Sequence, residues 1–379
     1  MKQWLCILFC SLLINLKAQG LASEIIKGGA ADAKVFLNAY LEPLFKGFAS
    51  ANTAGWYNSA KPLGKLGIHL SVSGSAFNVP ESDQSYLFKN LSLENSVYSY
   101  SPAPGNSPER PLPTVFGSNT EPSANYDVYY RLNSVDSLVY LCRMQLPDGL
   151  NLPLAPAIPP VLQLNLGLFQ QTELMIRYFP AIRIQNFTST QYGLGLKHSI
   201  KQWLPGVKKV PFWDWSVMGC FSWFKQEFQV AEANRLKASI YPNAVNFNAF
   251  KNELYPDQAY ALEGNSINIG TVASLKLGPF TPYCGLSYTR SRSGFEMKGR
   301  YPILTAVDDL QSTDFGKPFI KEVENPVGIS GMVDGFRLTG GLRLKLGYLL
   351  LHYDYSINSY GYYLHSAGIG FHVQELIPM

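Results

Sequence analysis

The sequence predicts an all-β fold: a transmembrane antiparallel β-barrel of 12–14 strands, 14 favoured, with an N-terminal helical or irregular hatch in its lumen. Three observations carry that reading. Segments of about ten residues alternate apolar and polar side chains with the period of a strand. Their apolar faces are almost wholly Leu, Ile, Phe and Tyr, while the opposite faces carry Arg, Lys, Asp and His, which a sandwich core would not accept without partners. Connections alternate between tight and long, as in outer-membrane barrels.

The chain opens with a short positive start, Met1-Lys2-Gln3, an apolar run over residues 4–16 and a cleavage region at 17–20. That pattern predicts a signal peptide over 1–18, because the run is too short to span a bilayer. Residues 19–63 are the expected hatch. Val35, Leu37, Ala39 and Leu41 amid Ala and Lys predict a short helix over 30–41, favoured by Asp32 at its start and limited by Pro43. Phe45, Phe48, Asn52, Trp56, Tyr57 and Asn58 follow, too aromatic for a disordered leader. The aromatics are expected against the inner wall, Asn52 and Asn58 on luminal polar groups, and Gly47 and Gly55 as the source of a weakly held, displaceable segment. The barrel is expected over 64–379.

Leu66, Ile68, Leu70 and Val72 alternate with His69, Ser71 and Ser73 in the first strand. Residues 100–125 read as a long loop, 135–144 as strand, and the four prolines of 149–161 exclude a helix there. Leu162–Leu168 by even numbers, then Leu174, Ile176, Tyr178, Ile182 and Ile184, form a hairpin with Glu173, Arg177 and Arg183 facing inward. Strands follow over 192–200, 213–223, 228–241, 267–277 and 280–290, with 292–334 the longest loop. Over 336–346, Leu338, Leu342, Leu344 and Leu346 oppose Arg337, Thr339, Arg343 and Lys345. A turn at Leu346-Gly347 would pair Leu344 with Leu349 and Leu342 with Leu351, and Ala367, Ile369, Phe371 and Val373 end the barrel. The expected luminal charges are therefore Glu173, Arg177, Arg183, Arg337, Arg343 and Lys345, bracing the lumen or attracting an anionic head group.

Composition agrees. The chain has 379 residues, 46% hydrophobic but 15% charged, against about 25% charged in soluble domains. Aromatics at 13% suit interfacial girdles. A net charge of +4 without a basic run excludes nucleic acid as the expected partner. At about ten residues per strand plus loops, the length supports 12–14 strands. No phosphate loop or zinc motif is present, and His69, His198, His352, His365 and His372 lack helical ligand spacing. His352, Asp354 and Ser356 share a face, yet no nucleophile elbow accompanies them. Cys142, Cys220 and Cys284 are an odd, widely spaced set, with Cys284 expected on the lipid face. No enzyme activity and no cofactor are expected.

Residues 171–180 (QTELMIRYFP), 193–206 (GLGLKHSIKQWLPG), 340–346 (GGLRLKL) and 52–61 (NTAGWYNSAK) resemble an uncharacterised family of secreted outer-membrane barrels. That family is itself similar to the long-chain fatty-acid transporter (FadL-type) barrels. The resemblance covers most of the mature chain and implies 14 strands, a luminal hatch and passive uptake of hydrophobic or amphipathic molecules across the outer membrane of a Gram-negative cell. It implies outer-membrane lipids and a hydrophobic small-molecule ligand as partners, and a monomer. The alternative is a closed structural or surface-binding barrel without transport. These motifs are structural, so ligand identity does not come with them.

Overall fold

The computed structural model describes residues 24–372 except 95–96, 105, 120–122, 153, 207 and 209. The expected signal peptide, residues 19–23 of the expected hatch and Val373 lie outside the described residues. A long helix, α1 (Ala30–Asn52), precedes β1 (Ile68–Asn78). Five short strands follow: β2 (Ser85–Leu87), β3 (Tyr98–Pro102), β4 (Pro111–Pro113), β5 (Asn125–Leu132) and β6 (Ser137–Gln145). Then come β7 (Leu154–Gly167), β8 (Thr172–Ile184), β9 (Phe187–Ser199), β10 (Trp213–Gln229), β11 (Ala259–Leu275) and β12 (Phe280–Lys298). A β13–β14 hairpin (Arg300–Ala306, Pro318–Glu324) leads to β15 (Gly328–Leu346), β16 (Leu349–Asn358) and β17 (Tyr363–His372).

Ten of these close an antiparallel barrel in the order β1-β17-β16-β15-β12-β11-β10-β9-β8-β7. The count is ten, not 12–14, and not the 14 of FadL-type barrels. The estimate of about ten residues per strand fails because β12 and β15 are 19 residues long and rise well past a bilayer, which needs about 9–11. The expected strand over 135–144 belongs to a separate sheet, β3-β5-β6, and residues 230–241 hold short 3-10 turns instead of strand.

The barrel is inside-out relative to a soluble fold. Leu194, Leu196, Ile269, Leu286, Leu338 and Phe371 are more than half or about half exposed, while Gln163, Glu173, Arg177, Ser222, Arg337 and Asp354 are buried. Only a solvent as apolar as lipid outside makes that arrangement favourable. Tyr178, Tyr192 and Trp223 stack side by side across β8, β9 and β10, with Tyr288–Phe336 and Tyr355–Tyr363 continuing the ring. Phe169, Trp203, Phe212 and Tyr348 lie exposed at the tight-turn end. Two aromatic girdles thus bound the apolar band.

The structure departs from expectation in three further places. The β15–β16 hairpin turns at Gly347-Tyr348, with Gly347 at φ 61°, so Leu344 meets Leu351 and Leu342 meets Tyr353. A slip of two leaves every side chain on its expected face. On β8 a bulge between Phe179 and Ile182 inserts an extra residue at Pro180-Ala181, so Phe179 pairs with Gln191 but Ile182 with Ser189. One extra residue reverses parity, and Arg183 is exposed, outside the lumen. Pro43 does not end the helix, which runs 23 residues to Asn52. Tertiary packing overrides the cost of the lost bond: Pro43 is buried, and so are Phe45 and Ala49 beyond it.

At the loop end, β2–β6, β13, β14 and their connections fold into a cap. Its hydrophobic core is continuous with α1: Phe36, Leu37 and Tyr40 pack with Tyr98, Phe116, Tyr126, Met144 and Tyr301. Ile25 and Ile26 are fully buried in it. The chain therefore starts, among the described residues, in the cap. It descends the lumen as α1 and residues 53–63, then leaves at the turn end, where Leu66 N–H bonds to Gly167 O before β1 begins.

Candidate functional site

The lumen is occupied by the end of α1 and the residues after it, and the wall holds that segment by its backbone. Asn268, Ser222 and Gln163 donate to the carbonyls of Thr53 (2.9 Å), Asn52 (3.0 Å) and Trp56 (3.1 Å). Arg177 Nη2 donates to Ala54 O at 2.7 Å, Lys197 Nζ to Ser59 O at 3.2 Å and Ser216 Oγ to Ala60 O at 2.5 Å. Arg337 reaches Ser50 O. A non-helical segment has orphan carbonyls, and a polar lumen supplies their donors.

Each sequence-derived luminal residue has a definite place. Phe45 is buried against Gly331 of β15, and Phe48 stacks on Phe224 at 5.4 Å. Trp56 lies over Gly193 and Gly195, where a Cβ would meet its ring, and Tyr57 is edge-on to Tyr283 at 5.8 Å. Asn52 donates to Ser266 (2.9 Å) and accepts from Gln191 (3.0 Å), and Asn58 accepts from Arg343 (3.5 Å). Lys345 is half-buried at the turn end. The two glycines expected to loosen the segment each have a structural use. Gly47 is needed because a Cβ would lie 2.2 Å from the Phe77 ring, and Gly55 supplies a left-handed turn at φ 65°.

The charged residues form two groups. Glu173, 1% exposed, pairs with Lys197 at 3.1 Å while accepting from Asn165 (2.6 Å) and the Leu63 N–H (2.9 Å). Arg177, equally buried, donates to Gln163 at 2.8 Å and lies 3.8 Å from the centre of the Trp56 ring. A cation on an aromatic face in a desolvated site is worth about 2 kcal/mol. Lys197 and Gln163 were missed as site residues. Their inward parity on β9 and β7 was readable, but which luminal polar groups meet the segment depends on how it threads.

Among the described residues, the wall is incomplete at the seam between β7 and β8. The β7–β8 ladder runs from Gly167–Glu173 only to Gln163–Arg177, although β7 continues to Leu154 and β8 to Ile184. β8 stays paired with β9 to its end. The chain carries Pro156, Pro159 and Pro160 on β7 and Pro180 on β8, none with an N–H to give. Behind the seam lies a chamber of about 30 Å³ bordered by Phe48, Ala51, Ser73, Val161, Gln191 and Phe224. None of its lining residues comes from β8, the strand between β7 and β9. Arg177 thus forms the last rung below the seam and one of the clamps on the luminal segment. Tyr178, just past that rung, belongs to the loop-side girdle, so the seam opens at the edge of the apolar band.

Residues 1–373 match a family of unknown function, DUF6588, and the chain belongs to it. No curated protein matches the chain. Among solved structures it is similar to the transport unit of the autotransporter AIDA-I from Escherichia coli, at 9% identity over 86% of this chain and 97% of that one, with a TM-score of 0.31. It is also similar to the outer membrane protease OmpT from Escherichia coli, at 8% identity over 81% and 95%, TM-score 0.27. A third is Ail, the attachment invasion locus protein of Yersinia pestis, at 9% over 53% and 91%, TM-score 0.23. At these scores they carry no argument about activity.

Proposed function

We propose that the protein is a monomeric outer-membrane barrel, exported by a cleaved signal peptide, that exchanges hydrophobic or amphipathic small molecules sideways between the outer leaflet and the upper lumen. The β7–β8 seam carries this reading. Backbone edges without ladder partners are unfavourable in lipid, so a wall that leaves them needs a reason, and a passage between the leaflet and the upper lumen supplies one. The residues behind the seam, Phe48, Val161 and Phe224 with Ser73 and Gln191, enclose about 30 Å³, the share of one water, so an amphipathic molecule enters only as they move apart. The straight route through the lumen is closed by the luminal segment, so exchange is lateral and needs only local movement near Phe48. No residue is assigned a catalytic role.

The test is a cross-link between the first positions beyond the ladder, Leu162→Cys and Tyr178→Cys, with Cys142, Cys220 and Cys284 changed to Ala. Uptake of a fluorescent fatty acid into vesicles holding the reconstituted protein should fall to the protein-free rate when locked, and recover with reductant. Equal uptake in both states sinks lateral exchange. A second reading, a closed surface-binding barrel, is favoured by the cap, whose core is continuous with α1. That reading requires uptake at the protein-free rate even when the seam is unlocked.

A further inference from the structure

Charge is divided unequally between the two ends of the barrel. Among the described residues, the turn end carries Lys61, Lys65, Lys201, Lys208, Lys276, Arg343 and Lys345, against one acidic residue outside the lumen core, Asp214, which faces Lys201 at 3.5 Å. The cap holds most of the acids, among them Glu81, Asp83, Glu109, Asp127, Asp148 and Asp308. Lys208 and Lys276 are exposed, and their ammonium groups make no hydrogen bond or ion pair among the described residues. The loop that carries Lys208 is tied to the turn that carries Lys276 by the Lys276 N–H to Phe212 O bond, 2.7 Å. Two unmatched cations are thus held on neighbouring turns where the apolar band meets water.

Directly above that loop the outer wall is hollowed. A groove of about 650 Å³ runs from His198 past Gly219 to Phe336. Gly219 faces outward between Leu196 and Ile269, and a Cβ there would meet nothing within 4 Å. The groove begins at a built polar rim. His198 bonds to Thr172 at 2.9 Å and to Gln202 at 3.1 Å, and accepts from Trp203 Nε1 at 3.1 Å. From Gly219 down β10 to Trp213 is about 20 Å at the usual strand rise, the length scale of an acyl chain.

We infer that this face binds an anionic phospholipid of the periplasmic leaflet, its acyl chain in the groove across Gly219 and its phosphate between Lys208 and Lys276. Each part of the site matches one part of that ligand. The groove is apolar and open to the bilayer, the rim lies at the head-group level with Trp203 as anchor, and the free cations sit where a phosphate would. A soluble polyanion accounts for the lysines but not for the groove, and a neutral lipid accounts for the groove but not for the lysines. The site is separate from the β7–β8 seam and stands whether or not the seam exchanges molecules.

The experiment is native mass spectrometry of the delipidated full-length protein with phosphatidylglycerol, phosphatidylcholine and inorganic polyphosphate as separate probes. Phosphatidylglycerol should bind at least about tenfold more tightly than phosphatidylcholine, in proportion to about 1 kcal/mol per surface cation. Lys208→Gln with Lys276→Gln should bring the two lipids to within about twofold of each other. Gly219→Leu, which fills the groove from the outside, should weaken both lipids while leaving the charge preference intact. Equal binding of the two lipids by the unaltered protein overturns the inference. So does polyphosphate binding as tightly as phosphatidylglycerol, or a Gly219→Leu protein that binds both lipids unchanged.

Discussion

Glu173→Gln tests whether the luminal segment is clamped or loose. The substitution keeps volume and shape but removes the charge that Lys197 faces at 3.1 Å, with both side chains under 5% exposed. Removing one partner of a buried pair costs about 3–5 kcal/mol, because the other charge is left without compensation. Glutamine has one acceptor oxygen for two donors, the Leu63 N–H and Asn165 Nδ2, so one of them meets an amide NH₂. A stranded buried donor costs about 1–3 kcal/mol, and that overlaps the first figure instead of adding to it. The expected loss is about 3–5 kcal/mol in reversible urea unfolding from lipid vesicles. Adding Lys197→Met removes the stranded ammonium and should return at least about 1 kcal/mol, a non-additivity proper to direct contact. A loss below about 1 kcal/mol, or strict additivity of the pair, refutes the clamp and restores the displaceable hatch.

Three further outcomes follow from the same structure. Leu342→Arg, outward on β15, should cost about 2–4 kcal/mol if near the midplane; Gly341→Arg, on the inner face, should also destabilise, since even a Cβ there would lie 2.3 Å from the Tyr283 ring, and both are read in the same unfolding series. Cys284, exposed on the outer wall, should resist a water-soluble maleimide in vesicles until unfolding, whereas Cys142 in the cap, its thiol pushed up to about 11 by burial, should label slowly at pH 7 and about tenfold faster per pH unit above it. Hydrogen bonds from Ser134 Oγ and from the Asn133 and Ser134 N–H groups hold the Asp308 carboxyl below its usual range. Its contribution to cap stability is therefore complete above the ordinary carboxylate pKa and lost as pH falls through the lowered one. The protection factors of the Asn133 and Ser134 amides, with the base-catalysed intrinsic rate divided out, should fall only at acid pH, and a fall between pH 6 and 8 contradicts the assignment.

Parity is a local property, and the sequence alone determined what depends on it. Leu338 outward and Arg337 inward, Cys284 outward, and Glu173 and Arg177 inward all follow from a period of two with one apolar face. So does the barrel class, because a cationic face opposite a continuous greasy one has few other solutions. The aromatic density around Trp56 marked that segment as buried before its partners were visible. Tertiary structure alone decided the rest, and the reason is the same in each instance: the energy comes from partners far away in the chain. Ten strands close because long hairpins rise past the membrane and the β1–β7 connection folds into a cap, which no local count reveals. Arg183 turns outward because one extra residue at Pro180-Ala181 reverses parity, and a bulge is visible only against the strand it pairs with. The helix continues through Pro43 because the burial of Phe45 and Ala49 outweighs one missing hydrogen bond. Gly47 looked like a source of mobility and is a point of contact with Phe77, since a glycine's neighbour across the lumen is not written beside it. The seam between β7 and β8 belongs to the same class: prolines announced weak donors, but which edge would stand open was decided by how the two strands met.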